Sequence, residues 1–145
     1  MIFSGLGVKY SGETFTGEQK FLVVKHSTSE RLNLFNFYGV DLWQGSNEAP
    51  THAAIVEEFK LRSVLVLGGG RVRRVSAQEM MLYGSSATYD GVPRRFLDFF
   101  KNSILAGYQQ KFPILESIII NTPEKTRNDN NVSFLDKFMQ TGGAP

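Results

Sequence analysis

Thr51–Tyr89 reads THAAIVEEFKLRSVLVLGGGRVRRVSAQEMMLYGSSATY. Ser63–Leu67 (SVLVL), near its middle, is a short continuous apolar run, the pattern of a central strand buried on both faces. Gly68-Gly69-Gly70 comes next. Glycines open backbone angles closed to other residues, and they let a ligand or another strand approach the main chain. The default reading is a tight connection into a new strand. Arg71–Ser76, with Val72 and Val75, and Glu79–Tyr83 (EMMLY) then read as a hairpin. Upstream, Pro50 stands where helices begin and Thr51 is an N-cap, which predicts a helix over Thr51–Lys60. Ile55, Val56 and Phe59 form its apolar stripe, with Glu57 and Glu58 outside. His52 falls in the first turn, where the helix dipole disfavours a positive charge and lowers the imidazole pKa. A neutral imidazole near pH 7 suits a general base.

Upstream of the helix, Glu18–Lys25 (EQKFLVVK) is apolar and β-branched and reads as a strand. Arg31–Val40 alternates apolar and polar residues, as a half-buried strand does. Residues 1–16 are rich in glycine, serine and threonine and read as an irregular arm. Downstream, Gly84–Gly91 is a turn-rich loop. Val92–Gln110 carries Phe96, Phe99, Phe100, Ile104 and Leu105 at helical spacing, and Lys111-Phe112-Pro113 stops it. Leu115–Asn121 (LESIIIN) is a last strand. Residues 122–145 form an extension: Thr122–Asn131 is polar and reads as mobile, and Ser133–Gln140 holds a short amphipathic turn, available to fold back on the domain or to dock on a partner. The order ββαβββαβ predicts a single α/β domain, with a mixed sheet flanked by one helix on each face.

A chain of 145 residues fits one domain. The absence of cysteine excludes disulfide frameworks, thiolate metal sites and cysteine nucleophiles. No apolar run spans a bilayer, and the first fifteen residues lack the apolar core and charged start of a secretory signal. The formal net charge of +2 is too small to argue for nucleic acid. Its distribution says more: Arg62–Arg95 holds six arginines against Glu79 and Asp90, an anion-attracting region. Twelve phenylalanines are a surplus, part of which is available to a partner. Gly68–Gly70 is no nucleotide loop, since neither GxxxxGK[ST] nor GxGxxG is met. A GxSxG elbow is absent, and no His/Asp/Glu cluster suggests a metal.

His52-Ala-Ala-Ile, Leu67-Gly-Gly-Gly-Arg71 and Tyr83-Gly-Ser-Ser-Ala-Thr-Tyr89, in this order and spacing, resemble the small protein-histidine phosphatase (Janus/Ocnus) family. Gly17-Glu-Gln-Lys20-Phe-Leu-Val-Val resembles that family's first, lysine-bearing strand, and the resemblance covers residues 17–121. It implies His52 as the catalytic group and Lys20, Arg71 and the Ser85-Ser86-Ala87-Thr88 turn as phosphate binders, with no cofactor and no metal. Ser86 and Thr88 stand where the family uses a serine and a small residue. The chain departs from the family pattern at Gln44, where an arginine is frequent, at Ala54, where an aspartate is, and at Asp90, where a glycine is.

The implied activity is hydrolysis of the P–N bond of a phosphohistidine-bearing protein or peptide, in the cytoplasm. That bond is labile, so holding the phosphoryl oxygens and orienting a nucleophile in line supply most of the catalysis. The departures leave a second reading open: a catalytically decayed domain serving as a structural subunit of a larger, mitochondrial assembly. An RNA-binding module using Gly68–Arg74 and Arg94-Arg95 ranks third, because the aromatics nearby read as helix core rather than stacking platforms.

Overall fold

The computed structural model describes residues 2–11, 18–26, 32–41, 51–58, 64–132 and 135–136. Strands β1 (Ile2–Ser11), β2 (Glu18–His26) and β3 (Leu32–Asp41) precede helix α1 (His52–Glu58). Strands β4 (Val64–Arg74) and β5 (Glu79–Tyr83), helix α2 (Arg94–Gln109) and strand β6 (Ser117–Asn121) follow, with a 3-10 turn at Asp129–Val132. The six strands form one sheet in the order β1-β3-β2-β4-β5-β6. The outer pairs β1–β3 and β5–β6 are parallel, and the inner pairs are antiparallel. The domain is therefore α/β with a mixed sheet.

Strand alternation sorts the side chains into two layers. Phe21, Val23, Phe35, Phe37, Val72, Met80 and Leu82 pack with Phe96, Leu97, Phe100, Ile104 and Tyr108 of α2. Leu22, Val24, Tyr38 and Val40 pack on the other side with Ile55 of α1. The first layer is aromatic: Phe21 stacks on Phe37 at 5.0 Å, and Phe35 meets Phe96 edge-on at 5.4 Å. Phenylalanines 21, 35, 37, 96 and 100 are fully enclosed, so these five present no surface to a partner. Phe59, Lys60 and Ser63 lie outside the described residues, as do Trp43, Gln44 and the rest of 42–50.

Three expectations need correction. The N-terminal arm is instead β1, an edge strand. Its glycines, and a register shift between Phe3 and Leu6, mask the alternation. The signal is the period-two pair Leu6 and Val8, which packs on the α2 layer. α2 passes close over β1 at Gly107, whose missing Cβ would collide with Val8.

The two strands expected at Ser63–Leu67 and Arg71–Ser76 are one, β4, and the triple glycine lies inside it. A bulge at Leu67-Gly68, with Gly68 at φ +136°, interrupts pairing to β2 without ending the strand. Each glycine then receives something the chain itself supplies. A Cβ on Gly68 would run into the backbone of Gly91 and Val92. On Gly69 it would sit 2.5 Å from the His52 ring, and on Gly70 2.7 Å from the Phe21 ring.

The polar segment after β6 is held against the domain. Val132 and Leu135 are buried in the α2 layer, and Arg95 binds Asp136 at 2.6 Å and the Asp129 carbonyl at 2.9 Å. Its polarity is misleading because its polar groups make hydrogen bonds and ion pairs to the domain beside the buried Val132 and Leu135. Ser133, Phe134 and residues 137–145 lie outside the described residues.

Candidate functional site

α1 is capped as the sequence predicts. The Thr51 hydroxyl accepts the Ala54 N–H at 3.1 Å, and the Thr51 carbonyl accepts that of Ile55. The cap sets His52 down on the β2–β4 pair, where it is 5% exposed. Its Nε2 lies 3.1 Å from the Gly70 carbonyl oxygen. A carbonyl only accepts, so Nε2 carries the proton and the neutral ring keeps its lone pair on Nδ1.

The His52 pKa lies below the ordinary histidine value. Burial is the largest cause; the nearby Lys20 and Arg71 charges push the same way, and the Gly70 and Phe21 carbonyls oppose them. The direction matches the expectation. The dominant cause is desolvation, whereas the sequence expectation rested on the dipole of a helix of which seven residues are described.

Lys20 and Arg71 are register partners across β2 and β4, so they share one face of the sheet. Gly69 and Leu22 are the next same-face pair, which places both cations beside the imidazole on the α1 side. Lys20 is pushed below its ordinary pKa by burial first and by Arg71 second, with Glu18 partly offsetting them. The structure thus brings His52, Lys20 and Arg71 together.

The Ser85–Thr88 turn reaches this group only through the backbone. The Gly69 N–H donates to the Asp90 carbonyl at 3.0 Å, so the loop takes over the edge of β4 that β5 leaves free. Ser86 is buried, and its hydroxyl oxygen accepts the N–H groups of Thr88 at 3.2 Å and Tyr89 at 3.1 Å. Ser85, Ala87 and Thr88 are exposed. Among the described residues, no hydrogen bond or ion pair joins this turn to the side chains of His52, Lys20 or Arg71.

Asp90 adopts φ +64°, the left-handed conformation that glycine takes most readily. Its carboxylate is not left facing the site. It accepts the Arg127 N–H at 2.6 Å and the Arg127 Nε–H at 3.2 Å. The Arg127 N–H is the first cause holding its pKa below the usual carboxylate range. Asn128 adds bonds to the Tyr89 carbonyl at 2.7 Å and the Gly91 carbonyl at 3.2 Å. The C-terminal extension therefore clasps the loop that carries the serine turn.

Sequence reasoning missed Glu18 and Tyr83. The Glu18 carboxylate forms an ion pair with Arg71 and accepts the Tyr83 hydroxyl at 2.6 Å. Arg73 lies over the Tyr83 ring, 5.8 Å from its centroid. The signal for Glu18 was its position two residues before Lys20 on a strand, hence on the same face. Tyr83 needed the β4–β5 register, which pairs it with Arg71. No cluster of three or more His, Asp or Glu occurs among the described residues, and none of their helices is long and apolar enough to cross a membrane. A scan against protein-family models finds no match to this sequence, and a search of curated proteins returns none.

Proposed function

We propose that the protein is a phosphohistidine phosphatase-like hydrolase, with His52 as base or nucleophile. One observation carries the reading: a neutral imidazole, fixed through Nε2 on the Gly70 carbonyl, stands beside Lys20 and Arg71 on one sheet face. Nδ1 is the atom left for chemistry. It takes a proton from an attacking water, or attacks phosphorus itself and is then freed by water. In either case the P–N bond breaks, its electrons pass to the substrate's imidazole nitrogen, which takes up the proton given up by the water, and inorganic phosphate and histidine result. Lys20 and Arg71 supply positive charge to the phosphoryl oxygens. The Thr88 and Tyr89 N–H groups now donate to the Ser86 hydroxyl, so they would grip a phosphoryl oxygen only by exchanging that partner.

The test is phosphate release from a phosphohistidine peptide by purified protein and by His52→Ala. General-base loss predicts a fall of about 10²–10⁴-fold. Wild-type turnover surviving in His52→Ala sinks the mechanism. The near-complete burial of His52 favours a second reading, a non-catalytic domain acting as a subunit of a larger assembly. Inactivity of the wild type on several phosphohistidine substrates, together with elution of the native protein far above 16.3 kDa in gel filtration, selects that reading.

A further inference from the structure

Among the described residues, Glu18 is the carboxylate at this end of the sheet face, and it stands among three cations. Lys20 lies two residues along the same strand, Arg71 is its ion-pair partner, and Arg73 is its register partner on β4. Among the described residues the carboxylate makes two hydrogen bonds: one oxygen takes the Arg71 guanidinium and the other takes the Tyr83 hydroxyl. An anion held by a guanidinium and a hydroxyl beside a lysine is bound as a phosphoryl group would be. The pair is also open to exchange, since the Arg71 and Glu18 side chains are 48% and 30% exposed. Exposed ion pairs contribute little, so a ligand anion with more charge can take the guanidinium.

We propose that Glu18 is a resident anion on the phosphate-binding arginine: it holds Arg71 until a phosphoryl group displaces it, and so sets the affinity of the site for phosphate. The inference rests on the reading of Arg71 as a phosphate ligand. Displacement leaves Arg71, Lys20 and Arg73 around the incoming anion, while Glu18 keeps the Tyr83 hydroxyl. Phosphate must then compete with a tethered carboxylate and bind near its charge. A small monoanion competes poorly, so the site discriminates for doubly charged phosphoryl groups.

Glu18→Gln tests this. Glutamine keeps an acceptor for Tyr83 and removes the charge. Inorganic phosphate and sulfate affinities are measured by titration calorimetry on wild type, Glu18→Gln, Arg71→Ala and the double variant. The expected result is roughly tenfold tighter binding of both ions by Glu18→Gln at low salt, with the gain lost when Arg71 is also alanine. A purely structural role predicts equal or weaker binding, and that result overturns the proposal while leaving the site reading intact. If wild type binds neither ion and Glu18→Gln binds neither, both the resident-anion role and the phosphate site fall together. If wild type and Arg71→Ala bind equally, Arg71 is no ligand and the proposal is overturned.

Discussion

Gly69→Ala tests the seating of His52 directly. An alanine Cβ there would lie 2.5 Å from Cδ2 and 2.7 Å from Nε2 of the imidazole, and 2.8 Å from the Phe21 carbonyl oxygen. Ordinary carbon contacts begin near about 3.5 Å, so the ring must retreat by roughly 1 Å. The Phe21 carbonyl belongs to an interior strand and cannot yield as a side chain does. Overpacking of this kind costs about 1–3 kcal/mol. Loss of the bond to the Gly70 carbonyl adds about 1 kcal/mol. The expected destabilisation is therefore about 2–4 kcal/mol, read as a shift in urea midpoint at constant slope. At about 3 °C per kcal/mol for a chain of this size, Tm falls by roughly 6–12 °C. In a His52→Ala background the ring clash is absent, so Gly69→Ala should cost at least about 1 kcal/mol less there. A change below about 0.5 kcal/mol in wild type, or strict additivity of the two substitutions, refutes the placement of the imidazole on Gly69.

The depressed His52 pKa makes a pH prediction: the unfolded chain binds the proton first, so stability falls with pH from about 6.5 down to the lower folded-state value. His52→Gln should flatten urea-midpoint profiles in that window; an unchanged acid limb would assign it elsewhere. Leu135→Ala should cost about 2–5 kcal/mol, because the side chain is fully buried in the α2 layer, and a cost under about 0.5 kcal/mol would mean that the extension is not part of the core. Asp90→Asn keeps a residue type that tolerates positive φ and weakens only the exposed Arg127 contacts, so it should cost about 1 kcal/mol or less in thermal melts, whereas Asp90→Val loses those contacts and adds about 1–3 kcal/mol of backbone strain; equal effects would deny the left-handed conformation.

The local order of β2, β3, α1, β5, α2 and β6 was written in the sequence, because apolar period and caps are local properties. Thr51 caps α1 and Phe96, Phe100 and Ile104 face inward as their spacing dictates. The grouping of His52 with Arg71 came from the resemblance of short motifs, since no local pattern links residues nineteen positions apart. Tertiary structure alone decided the rest. A glycine carries no side chain to declare its partner, so nothing local told that Gly68, Gly69 and Gly70 receive the Gly91–Val92 backbone, His52 and Phe21. β1 escaped for the same reason: its glycines hide a strand whose burial depends on α2 crossing it at Gly107. Glu18 meeting Arg71 and Tyr83, and Arg127 meeting Asp90, are charge pairings between distant segments. A charge reads locally as a solvated face, and only the sheet register and the returning C-terminal segment bring each one its counterpart.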